Sequence, residues 1–171
     1  MEKLATVTYA TSKPRAVAGF AGGAVTGGFL IALLYLWDIA ETLGVDHLRE
    51  YGVQKGFGVF VAASFFWAVG LAIFGLPSWL WLHRRYLRQW PIALLAGIAI
   101  GFLGTLALQI LLTSGSGLSI YDSGGPKVID GHRTLHGWMD ALKVSGLFSA
   151  AGCIVALVIW RIAYRRQSSI I

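Results

Sequence analysis

Four long stretches of this chain carry no charged side chain: residues 16–37, 56–82, 91–113 and 144–160. No other feature constrains the fold as much. A helix crosses a bilayer with about 20 apolar residues, within a range of about 17–25. The first and third runs match that length. The second is longer and holds Pro77, so its inner end is expected to kink or the span to tilt. The fourth reaches span length only by starting near Gly137 and Trp138, which brings Asp140 and Lys143 to its outer edge.

Composition points the same way. Hydrophobic residues make up 56% of the 171 residues and charged residues 13%. Soluble domains run at about 45–50% apolar and about 25% charged. A chain this poor in charge cannot cover itself against water, which argues against a soluble enzyme, a disordered tail and a nucleic-acid binder. Barrel strands would alternate in polarity over segments of about ten residues, and these runs do not. Lipid offers the backbone no hydrogen bonds, so the runs are expected to be helices. The expected fold is therefore all-α, a polytopic membrane protein built as a four-transmembrane-helix bundle. Its spans fall at about 16–37, 56–82, 91–113 and 138–160, within one integral membrane domain over residues 1–171.

The first run follows Lys3, Lys13 and Arg15, as a signal-peptide core would. It exceeds the usual core length of about 7–15 residues and has no clear small-residue cleavage site after it. It reads as a retained first span.

Charge sets the orientation. With both termini on one side, that side and the 83–90 connection hold Lys3, Lys13, Arg15, Arg84, Arg85, Arg88, Arg161, Arg165 and Arg166. The opposite side holds Arg49, Lys55, Lys127, Arg133 and Lys143, with the acids Asp38, Glu41, Asp46, Glu50, Asp122, Asp130 and Asp140. Basic residues favour the cytoplasmic side. Both termini are thus expected in the cytoplasm, in a bacterial cytoplasmic (inner) membrane. Trp79, Trp81, Trp90, Trp160 and Tyr164 would form the inner aromatic belt, with Trp37 and Trp138 in the outer one. The net charge of +6 then reads as affinity for anionic lipid headgroups, with no nucleic-acid partner.

The two outer connections differ. Residues 38–54 are charged and suit a short interfacial helix. Residues 114–133 contain Ser114-Gly-Ser-Gly117 and Ser123-Gly-Gly-Pro126, so their middle is expected to be irregular and mobile. A helix is expected to begin near Asp130 and run into the fourth span.

The halves of the chain resemble one another. Lys55-Gly-Phe-Gly-Val-Phe-Val-Ala-Ala63 matches Lys143-Val-Ser-Gly-Leu-Phe-Ser-Ala-Ala151 at the lysine, the second glycine, the phenylalanine and both alanines. Gly28-Phe29-Leu30 matches Gly101-Phe102-Leu103, and Leu33 then pairs with Leu106. This suggests a parallel 2+2 internal repeat about an axis along the membrane normal.

Candidate contact and chemistry residues follow from spacing. Gly19, Gly23 and Gly27 recur every four residues, as do Gly97 and Gly101. Such faces let helices approach closely, within the bundle or against a partner. His132, His136 and Asp140 also recur every four residues. On one helix face His132 and His136 would share a metal ion, with His47 of the other outer connection as a third ligand. Asp140 would lie about 12 Å from His132 along the axis, too far to join them. Alternatively, His136 would ligate haem iron axially. The bland reading of the same residues is a wet interfacial helix facing headgroups. Asp140 and Lys143, three apart, are placed to pair. Lys55 and Lys143 would flank the outer mouth, where two cations would attract anions. Gln109 is the most polar side chain inside an uncharged run, suited to a hydrogen bond between helices or to a polar path. Cys153 reads as a small packing residue.

There is no P-loop, GxSxG elbow or HExxH motif, and no acid or base lies at mid-membrane. Three functions are therefore expected, in this order. The first is a non-enzymatic membrane subunit packed against a protein partner or itself as a homo-oligomer. The second is a small channel or transporter with Lys55 and Lys143 at its mouth. The third is a haem or metal redox protein using His132 and His136.

Overall fold

The computed structural model describes residues 8–44, 52–114, 117, 119–122 and 124–167. It is mostly helical. Four of its helices are long and apolar enough to cross a membrane: Lys13–Thr42, Gln54–Arg84, Trp90–Thr113 and Leu135–Ala163.

A short strand, β1 (Thr8–Ala10), precedes the first helix, α1 (Lys13–Leu43). Pro14 sits in the first turn of α1, where its missing N–H costs nothing. No further proline intervenes, and the helix runs to Gly44, whose φ of +86° ends it. The helix therefore continues past Trp37 through Asp38 and Glu41, so part of the expected outer interfacial segment is an extension of span one. The rest of that segment, including His47, lies outside the described residues.

The second span is continuous but changes winding. It consists of α2 (Val53–Gly70), a π-helical turn at Leu71–Gly75, and α3 (Leu76–Arg84). Pro77 lies in the first turn of α3. A proline inside a helix clashes with the carbonyl four residues back and lacks the N–H to bond it. Widening the preceding turn accommodates that ring, with the Leu76 N–H reaching back five residues to the Leu71 carbonyl. The irregularity expected at Pro77 thus takes the form of a π-turn.

A tight inner connection leads to α4 (Trp90–Thr113), again with proline in its first turn. The outer segment after α4 departs from expectation. It forms an antiparallel sheet of β2 (Ile120–Asp122), β3 (Gly125–Ile129) and β4 (His132–Arg133). Val128 pairs with Arg133 and Ile129 with His132. Between them Asp130 and Gly131 both have positive φ, 49° and 78°. That pair makes the two-residue hairpin turn for which Asp-Gly is the strongest short signal. The fourth span, α5 (Leu135–Ala163), begins only after this hairpin. Thr134 caps it, its hydroxyl accepting from the Gly137 N–H at 3.1 Å. The helix therefore does not start near Asp130. After α5, β5 (Arg165–Gln167) pairs antiparallel with β1, tying both ends of the described chain together at one end of the bundle.

The helices pack in a row. α1 packs on α2 on one side and on α5 on the other, and α4 packs on α5. Span three approaches span two mainly through the π-turn. The buried positions are small: Ala16, Ala24, Ala32, Ala141, Ala151 and Ala163 accompany Val155 and Ile159. The large apolar side chains face outward instead, as with Leu111 at 75% exposed and Phe66 at 72%. This reverses the arrangement of a water-soluble core.

Candidate functional site

The small-residue faces are used inside the bundle. A Cβ on Gly19 would meet the Ile159 carbonyl, and one on Gly23 would meet the Ile159 and Val155 side chains. Gly27 faces the Trp67 indole, and Gly28 faces Ser64 and the Phe60 carbonyl. Gly97 and Gly152 face each other backbone to backbone, and Gly101 faces the Phe148 carbonyl. These contacts hold α1 against α2 and α5, and α4 against α5. Cys153, in the middle of α5, is a half-buried free thiol.

At the outer end, polar side chains converge where the sheet meets spans three and four. Arg133 donates from Nη2 to the Gln109 carbonyl at 2.8 Å and from Nη1 to the Gly137 carbonyl at 3.2 Å. Its guanidinium also lies 5.9 Å from the Trp138 ring centre. Gln109 Nε2 donates to the Ala141 carbonyl and to Ser145 Oγ, both at 3.3 Å. The Thr134 hydroxyl donates to the Pro126 and Lys127 carbonyls. Lys127 Nζ pairs with Asp140 at 2.8 Å. Gly137 lies against the Lys127 carbonyl so closely that any Cβ there would collide with it. Gln109 is therefore a bond between helices, and Asp140 pairs with Lys127 rather than with Lys143.

The histidines are not brought together as their spacing implied. His132 is an exposed residue of β4, whereas His136 is half-buried in the first turn of α5. They do not share a helical face, because the Asp130-Gly131 turn and β4 intervene. Among the described residues, no three His, Cys, Asp or Glu side chains form a cluster able to hold a metal. Lys55 and Lys143 are both exposed, near the outer ends of α2 and α5.

At the opposite end, where β1 pairs with β5 and which the charge pattern leads one to expect inside, a different site appears. A half-open cleft of about 90 Å³ runs between spans two, three and four. Trp67, Leu71, Ala93, Ala96, Ile100 and Val155 line its apolar length. Spans two and three diverge here because small residues draw α4 onto α5 instead. The inner end of the cleft is aromatic and polar, with Trp79, Trp160 and Tyr164 on its wall. His83 stacks on Trp79, ring centres 5.1 Å apart, and lies 24° from parallel with the Tyr164 ring. The Tyr164 oxygen and His83 Nδ1 are 3.1 Å apart. The phenol donates to Nδ1 when the ring carries its proton on Nε2, leaving that N–H to serve another acceptor. Burial pushes the Tyr164 phenol above its ordinary pKa, against the opposing charge of nearby Arg88, so it is a neutral donor at physiological pH. Trp160 Nε1 donates to the Arg88 carbonyl at 2.9 Å, anchoring the inner connection to the end of α5.

The sequence placed Trp79, Trp160 and Tyr164 in one aromatic belt but did not single out His83 or Arg88. Their signal was positional: His83 follows directly on the second uncharged run and Tyr164 lies four residues past the end of the fourth, at ends that share a side. Comparison with protein-family models, with curated proteins and with solved structures gives no match for this chain.

Proposed function

We propose that this chain is an integral membrane protein of four spans with both termini in the cytoplasm. In this reading it is non-enzymatic, and its working surface is the lateral cleft, where a membrane-embedded partner, protein or lipid, is seated. The cleft between spans two and three is the observation that carries the reading. The outward-facing apolar side chains support insertion. The β1–β5 pairing, which keeps both ends of the described chain together, supports an even number of crossings.

The internal repeat belongs to the same proposal and explains why the cleft lies where it does. Gly28 meets the Phe60 carbonyl and Ser64, and Gly101 meets the Phe148 carbonyl and Gly152. Under the alignment of the two halves, Gly28 corresponds to Gly101, Phe60 to Phe148 and Ser64 to Gly152. Equivalent positions thus make equivalent contacts. The packing of span one on span four would have, as its counterpart, packing of span three on span two. That counterpart is largely missing, and the cleft takes its place.

A photo-crosslinking amino acid at Ala96, inside the cleft, tests the reading against one at Leu111, which faces outward. The Ala96 probe should give a defined adduct in native membranes, a single protein band or lipids of a single headgroup class, and the Leu111 probe a heterogeneous smear. The same smear from both positions would contradict the proposal.

A further inference from the structure

The chemistry of the inner end narrows what the cleft can hold. The inner end carries Lys13, Arg15, Arg84, Arg85, Arg88 and Arg161, and no Asp or Glu among the described residues lies there. The described acids, Asp38, Glu41, Asp122, Asp130 and Asp140, all lie towards the outer end. The positive field is therefore unbalanced where the cleft ends. Arg88 is tied to the cleft wall, its carbonyl accepting from Trp160 Nε1 at 2.9 Å, and its charge acts on both His83 and Tyr164. A basic pocket between spans on the cytoplasmic side suits an anionic lipid headgroup. A guanidinium presents the planar fork that matches phosphate oxygens, and His83 and Tyr164 add hydrogen-bonding groups beside it.

The cleft is open along its side, and its lining from Ile100 and Val155 to Trp67 and Leu71 is apolar, so a hydrocarbon chain can lie against it. The charge at its end, rather than its size, selects the occupant: a basic end suits a chain that carries an anionic headgroup.

We infer that the cleft is a binding site for an anionic phospholipid, with one acyl chain along its apolar length and the phosphate at Arg88 beside the His83–Tyr164 pair. This rests on the membrane reading above and names the partner of that same cleft. Trp79 and Trp160 then form the collar between chain and headgroup, a depth at which indoles are favoured.

The test is native mass spectrometry of the intact protein released from micelles holding equal amounts of phosphatidylglycerol and phosphatidylcholine with identical chains. The wild type should retain phosphatidylglycerol selectively. Arg88→Gln should lower that preference about fivefold, the effect of one cation near an anionic lipid surface. Arg88→Lys, which keeps the charge, should preserve most of it. Arg85→Gln, whose guanidinium lies over the Trp81 ring, should change it little. Ala96→Trp, which fills the channel, should reduce retention of both lipids. Equal retention of the two lipids by the wild type, or an unchanged preference in Arg88→Gln, would overturn the inference. A protein chain crosslinked at Ala96 would also overturn it while leaving the proposed function standing. Extraction of the protein from membranes by alkaline carbonate would instead remove the membrane reading itself.

Discussion

The two ends of the helix bundle use their polar groups in opposite ways. At the outer end, Arg133, Gln109, Thr134 and the Lys127–Asp140 pair bond to one another and to backbone carbonyls, tying the sheet to spans three and four. At the inner end, Trp79, Trp160 and Tyr164 line the mouth of an apolar cleft that the bundle does not close, with His83 bonded to Tyr164 and the Arg88 carbonyl bonded to Trp160. Polar residues satisfied by their own fold are structure. Polar residues arranged at the end of an unfilled channel are the better candidates for recognition. The outer cluster is the larger of the two and holds the residues that spacing made conspicuous, yet the inner one has the shape of a site.

Variants can break this contrast, since outer-end changes should cost stability and inner-end changes should alter ligand retention. The largest effect is expected for Arg133→Ala. It removes two charge-assisted bonds that tie the sheet to spans three and four. Unfolding in mixed micelles should show a loss of about 3 kcal/mol, with lipid preference unchanged. Gln109→Leu should cost about 1 kcal/mol in the same assay, because its two bonds are long and buried Ser145 loses a donor. Lys127→Gln should cost less than about 1 kcal/mol, since the pair is partly open to solvent and screened. Tyr164→Phe sharpens the contrast from the other end. It should shift stability by less than about 1 kcal/mol while weakening phosphatidylglycerol retention. A large stability loss with unchanged retention would make Tyr164 a structural residue like those of the outer end.

The four long apolar helices were legible because uncharged runs of bilayer length, such as residues 16–37 and 91–113, favour unbroken helix. Gly28 and Gly101, on which the proposed repeat rests, stood out because close backbone approach admits no side chain. The outer sheet was missed although its signal was present. The glycine- and serine-rich flanks of 114–133 suggested irregularity, while Asp130-Gly131 between Val128-Ile129 and His132-Arg133 marked a hairpin. That turn is also what separates His132 from His136, so the apparent helical spacing of the two histidines was an accident of counting. Asp140 was assigned the neighbour in its own helix, yet the sheet brings Lys127 to it from outside. The His83–Tyr164 pair spans 81 residues, and no local pattern encodes such a meeting. It depends on where the ends of spans two and four come to rest.

Everything at both ends presumes that the bundle crosses a bilayer with its β1–β5 end in the cytoplasm. The direct measurement is labelling of single cysteines in intact spheroplasts by a membrane-impermeant maleimide, after Cys153→Ala removes the native thiol. Ser12→Cys marks the inner end and Ser119→Cys the outer, both at exposed positions. Ser119→Cys should label at once and Ser12→Cys only after the cells are permeabilised. Labelling of both from the same side, or of Ser12→Cys alone in intact cells, would contradict it.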